Sequence, residues 1–115
     1  MQRSLFVVVM TVLLLTCCRG ARAEAGFVDG NKLVTYLREF EKSERNDPSV
    51  VWEGSGIFEG YVVAIADSAD VCSFKGVPVK QVEAVVAKYL NDHPSDWNKP
   101  AAVLVRIALR EAFCK

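Results

Sequence analysis

His93 is the only imidazole among the 115 residues, and it stands in a turn between Asp92 and Pro94. Nucleophilic catalysis would need an activated Ser or Cys beside it. No Gly-x-Ser-x-Gly elbow occurs, and Cys72 and Cys114 suit each other better than a thiolate role. Asp67 and Asp70 invite comparison with an acid–base pair, but at the end of an apolar helix they read as solvated termini or caps. A single His and the lack of Cys-x-x-Cys leave a zinc site unsupported. Neither a phosphate loop nor an EF-hand pattern is present. The expectation is a protein that is not an enzyme and takes no cofactor or metal.

Binding fits the polar features better. The stretch His93-Pro94-Ser95-Asp96-Trp97-Asn98-Lys99-Pro100 sets a Trp among polar residues, and its two prolines restrict the loop to a narrow set of shapes. Trp is enriched where interfaces concentrate their energy, so His93, Asp96, Trp97 and Lys99 are the candidate partner-binding residues. The alternative is that Trp97 folds back over the core between the last two helices. Trp52 is expected to cover the core. Lys plus Arg and Asp plus Glu each number 14, a formal charge of zero. A nucleic-acid partner, which usually requires a basic stripe, has no support.

Arg3, an apolar run from Leu5 to Cys18 and the small residues of Ala21-Arg22-Ala23 describe a secretory signal peptide. The run is about 14 residues, short of the roughly 20 that span a bilayer. Residues 1–23 are therefore expected to leave by cleavage after Ala23, and 24–115 to form the domain, with no membrane contact afterwards. A lipoprotein signal is disfavoured, because the residue before the modified Cys is normally small and here would be Thr16 or Cys17. Cleavage removes three arginines and no acid, so the mature 92 residues carry 11 basic against 14 acidic side chains, net −3. Cys72 and Cys114 remain, an even pair in an exported chain, which favours a disulfide.

The elements that must hold the loop are helices. Leu33, Tyr36, Leu37 and Phe40 follow the i, i+3, i+4, i+7 spacing of an amphipathic helix from Asn31 to about Arg45, with its charges on a solvated face. Asn46-Asp47-Pro48 ends it. Ile57, Phe58, Tyr61, Val62 and Ile65 mark a second helix whose firm part begins near Gly56, since glycines cost helix interiors about 1 kcal/mol each. Gly56 and Gly60 are four apart, which suits close packing inside the molecule or a subunit interface. Pro78 suits the first turn of a third helix, with Val82, Val85, Val86, Tyr89 and Leu90 inward and Lys80, Glu83 and Lys88 outward. Pro100 opens a fourth, whose stripe is Val103, Leu104, Ile107 and Ala108. The fold class is all-α, a small bundle of about four helices with one intramolecular disulfide. Closing its loop of about 43 residues would contribute roughly 4 kcal/mol.

Gly60-Tyr61-Val62-Val63-Ala64-Ile65-Ala66-Asp67, Val71-Cys72, Gly76-Val77, Gln81-Val82, Val85-Val86, Lys88-Tyr89-Leu90, His93-Pro94, Pro100-Ala101-Ala102 and Ala108-Leu109-Arg110-Glu111-Ala112-Phe113-Cys114 follow in one order. This combination resembles the Rap/Tai family of bacterial immunity proteins over roughly residues 26–115. The resemblance implies a small, exported, helical and often dimeric protein of the periplasm. It also implies a partner, a peptidoglycan (cell-wall) amidase effector of type VI secretion that the protein binds and blocks. The family pattern usually carries an earlier Cys pair, which here falls at Leu37 and Phe58. Joint loss of both is what a missing disulfide replaced by packing looks like. Pro78 stands where a capping Thr is usual, and Phe113 where a Pro usually precedes the last Cys. These departures put the identity of the amidase in doubt. The rival functions are a periplasmic acid-stress chaperone, and a minor enzyme or envelope assembly factor.

Overall fold

A computed structural model describes residues 26–68 and 71–114. The expected signal segment, residues 1–23, and Asp70 lie outside the described residues. Four helices follow in order: α1 (Gly30–Glu44), α2 (Trp52–Ala66), α3 (Val79–Asp92) and α4 (Ala101–Phe113), with a 3₁₀ turn at Pro94–Asp96 before α4. Among the described residues extended pairing is limited to one antiparallel bridge between Asp29 and Pro100. The all-α bundle and the Cys72–Cys114 disulfide agree with expectation.

α1 forms where its apolar spacing places it, burying Leu33, Leu37 and Phe40, with Val34 added to the same face. It ends in a turn where Asn46 takes φ 55°, a left-handed conformation that Asn tolerates better than most residues. Asp47 stabilises that turn by accepting hydrogen bonds from Ser49 N–H and Oγ–H at 2.8 and 2.7 Å. The charged face of α1 is less solvated than expected. Arg38 bonds both Glu41 and Asn91 at 2.9 and 2.8 Å, and Asn91 donates to Glu41 at 2.9 Å, which ties α1 to α3.

α2 starts at Trp52, four residues before the expected firm onset. The glycine that permits close packing is Gly54, where an added Cβ would lie 2.9 Å from Glu39 Cγ. Gly56 and Gly60 meet nothing within 4 Å of such a Cβ and are exposed, so they do not serve internal packing. The cause is rotational: Gly54, Ser55, Phe58 and Val62 form the buried face of α2, and Gly56 and Gly60 lie off it. Phe40 and Phe58 pack with ring centroids 4.9 Å apart across the α1–α2 seam. Leu37 and Phe58 are both fully buried, so apolar packing fills the two positions at which the sequence resemblance places an earlier Cys pair.

Pro78 takes the capping position before α3 rather than its first turn, with ψ 143°. α3 buries Val82, Val86 and Leu90, leaving Val85 and Tyr89 half-buried. On α4 the buried residues are Ala101, Leu104, Val105, Ala108 and Leu109, so the face is turned from the expected Val103–Ile107 line and those two are only half-buried. The turn follows from Val105 and Leu109, which bring a second pair of large side chains into the core. The disulfide (Cα–Cα 5.8 Å) fastens the α2–α3 connection to the end of α4. Beside it Phe74 and Phe113 meet edge to face at 5.4 Å.

Glu83 departs from its expected outward place and is 2% exposed. Its position, one residue past Val82, brings it under Lys80, whose Nζ lies 3.3 Å from Oε2 and 3.0 Å from Glu44 Oε1. Oε2 itself makes no hydrogen bond. Burial pushes the Glu83 carboxyl above the usual range; Lys80 opposes this, and Glu59 and Glu44 add to it. Between the ordinary carboxylate pKa of about 4.3 and the raised native value, the folded state binds more protons than the unfolded one. This group's contribution to stability therefore falls as pH rises through that window. Glu83→Gln, neutral and of the same shape, is expected to raise the thermal midpoint at pH 7 and to match the unmodified protein near pH 4. Thermal unfolding at both pH values checks it; a lowered midpoint at pH 7 would mean that pairing with Lys80 outweighs the cost of burial.

Candidate functional site

The loop from His93 to Pro100 is built by the ends of three helices. At the end of α3, the His93 ring stacks on Tyr89 with centroids 4.1 Å apart. Its Nδ1 lies 2.8 Å from Tyr89 O, and since a carbonyl oxygen can only accept, Nδ1 donates there. Trp97 Nε1 donates to Leu90 O at 2.8 Å, a carbonyl at the end of α3 that the His93 N–H reaches only at 3.4 Å. The half-buried indole also packs against the core, which matches the second of the two readings for Trp97. Asp96 and Lys99 form an ion pair at 2.9 Å.

The same loop completes the start of α1. Gly30 N–H donates to Lys99 O at 2.9 Å and Asn31 N–H to Trp97 O at 2.8 Å. Asn31 Nδ2 adds a second bond to Trp97 O at 3.1 Å. Asp29 Oδ1 accepts from Lys32 N–H at 2.8 Å, and Asp29 O from Leu33 N–H at 3.0 Å. All four donors that open α1 thus have acceptors. Gly30 is required here by proximity, because a Cβ would lie 2.6 Å from Trp97 Cα and O. Across the Asp29–Pro100 bridge, Ala101 N–H donates to Val28 O at 2.9 Å and begins α4. Burial raises the Tyr61 phenol, which hydrogen-bonds the backbone of Ala102 in the next position.

All four sequence-identified residues, His93, Asp96, Trp97 and Lys99, therefore belong to one braced segment. Lys99 is exposed, and the other three are half-buried. A hollow of about 150 Å³ adjoins His93, lined by Val85, Lys88, Tyr89, Asp92 and Ala108. Among the described residues no group of three or more His, Cys, Asp or Glu is placed to hold a metal ion. No described helix is long and apolar enough to cross a membrane.

One feature of the surface escaped the sequence. Trp52 is 70% exposed, not part of the core. Once α2 begins at Trp52, that residue lies roughly 100° around the helix from the Phe58–Val62 face, at 100° per residue. Its neighbours Val51 and Glu53, but not Trp52 itself, line a cleft of about 360 Å³ between α1 and α2, with Lys32, Tyr36, Glu39, Gly54 and Ile57. The angular offset from Phe58 is the signal that would have found it.

Compared with known families, residues 15–114 match the family described as Rap1a immunity proteins. The chain belongs to that family. No curated protein and no solved structure matches it. Membership makes it an immunity-type protein, and the matched span takes in the whole four-helix bundle and its braced loop.

In this Rap1a-family chain the closeness of Gly30 to the loop yields a direct test. Gly30→Ala sets a methyl group against the Trp97 backbone, which cannot swing aside as a flexible side-chain end would. Overpacking of this kind costs about 1–3 kcal/mol. Denaturant unfolding is expected to show that loss. In a Trp52→Phe background the remaining indole fluorescence should shift as Trp97 leaves its place. Unchanged stability and emission would show that the loop is not braced by α1.

Proposed function

We propose that the chain is exported to the periplasm, where it binds a peptidoglycan amidase effector of type VI secretion and blocks it stoichiometrically without chemistry of its own. Membership of an immunity family across residues 15–114 carries this reading. Its contact element is the 93–100 loop, with His93, Asp96, Trp97 and Lys99 meeting the effector. What supports that choice is the bracing: a segment already ordered by α1, α3 and α4 loses little conformational freedom on binding. Trp97 holds the loop's shape and offers its uncovered edge, while Lys99 presents charge. The mature protein begins at Glu24 and acts as a homodimer, as the family resemblance implies.

Co-expression tests the proposal. An amidase effector directed to the periplasm of a sensitive strain is expected to lyse cells, and this chain with its N-terminal segment to protect them. The protected cells should yield a co-purifying complex and a processed chain starting at Glu24. Lysis undiminished by the chain, with no complex recovered, would overturn the reading.

A further inference from the structure

Among the described residues no large apolar side chain is more exposed than Phe27, which lies wholly in water. A single exposed apolar residue is ordinary, but this one does not sit on a loose end. The chain bends at Phe27 and Val28, and both arms of the bend lie against Pro100. On one arm, a Cβ on Gly26 would be 3.4 Å from Pro100 Cβ. On the other, Asp29 pairs with Pro100. Between them Val28 O accepts from Ala101 N–H at 2.9 Å, and the Val28 side chain packs against the core. Turning the phenyl inward would displace Val28 from both contacts, so the bend itself keeps Phe27 in water.

The same contacts place the phenyl beside the braced loop. Pro100 is the last residue of that segment, and Lys99 O holds the N–H of Gly30, three residues after Phe27. An interface of ordinary size covers about 800 Å² per partner, a disc of radius about 16 Å. A partner centred on residues 93–100 therefore reaches a side chain held against Pro100. The loop offers mainly polar groups and a half-buried indole, whereas the buried centres of interfaces are enriched in aromatic residues. Phe27 supplies an exposed ring, already held in place, at little cost in conformational freedom.

We propose that Phe27 is a second anchor for the effector, its phenyl ring entering an apolar hollow beside the surface that the 93–100 loop covers. The inference rests on the immunity reading above and adds to it a contact from the other end of the domain.

The test uses an effector against which the chain protects, with affinity measured by calorimetry for the unmodified chain, Phe27→Ala, Phe27→Leu and Phe27→Asp. Phe27 is fully exposed, so unchanged circular dichroism and thermal midpoints are expected for all variants. Phe27→Ala should weaken binding about tenfold and Phe27→Asp more, while Phe27→Leu keeps most of the affinity. The deficit of Phe27→Ala should be equal at low and high salt, because an uncharged contact is not screened. Full affinity in Phe27→Ala and Phe27→Asp, or a deficit that vanishes at high salt, would overturn the anchor and leave the immunity reading standing. Lack of a complex with the unmodified chain would overturn both. A shift from dimer to monomer in Phe27→Ala with effector affinity retained would assign the ring to a second copy of the chain, and overturn the proposal.

Discussion

The start of α1 cannot be completed by α1. A helix opens with backbone donors that have no partner within it, and here Asp29 supplies acceptors for the Lys32 and Leu33 N–H groups while those of Gly30 and Asn31 turn to the carbonyls of Lys99 and Trp97. The loop in turn has no regular structure long enough to hold it. Its carbonyls are fixed because α1 uses them, and its indole because Leu90 O at the end of α3 accepts from it. The bridge between Asp29 and Pro100 then sets where α4 begins. Three helix ends and one loop thus settle one another's hydrogen bonds, and little conformational freedom remains in the segment assigned to the partner.

The number of helices and the disulfide were legible in the sequence because they rest on local signals: apolar spacing, proline positions, and an even number of cysteines after residue 23. What sits on which side of a helix was less legible. The charge of Glu83 suggested water, yet its place beside Val82 carried it inward, where the exposed Lys80 reaches it from the surface. Gly54 became the close-contact glycine because Glu39 on another helix comes to within 2.9 Å of an added Cβ. No pattern inside α2 reveals that neighbour. Trp52 was misplaced for a related reason, since the side it faces depends on where α2 begins. The braced loop was seen as a candidate from its composition, while its dependence on α1 lies 66 residues away in sequence.

The two ends of the molecule differ in how they are held. Near Cys72 and Cys114 a covalent bond and the Phe74–Phe113 pair fasten a connection with few hydrogen bonds of its own. Near the loop the work is done by backbone hydrogen bonds and one indole. Reduction would loosen the first region without touching the groups that shape the second. In the interior Leu37 and Phe58 are held without a covalent bond, both fully buried by apolar packing.

The pairing of α1 with the loop also bears on how the chain reaches its working form. A ribosome or an export channel delivers residue 30 long before residue 99, so α1 begins its life with two donors facing water. The loop takes its shape only once residue 99 has been made and the chain has closed back on α1. Its finished shape therefore marks a chain extended at least to Lys99 and folded onto its own start. A chain halted before Trp97 would leave the N–H groups of both Gly30 and Asn31 without these acceptors.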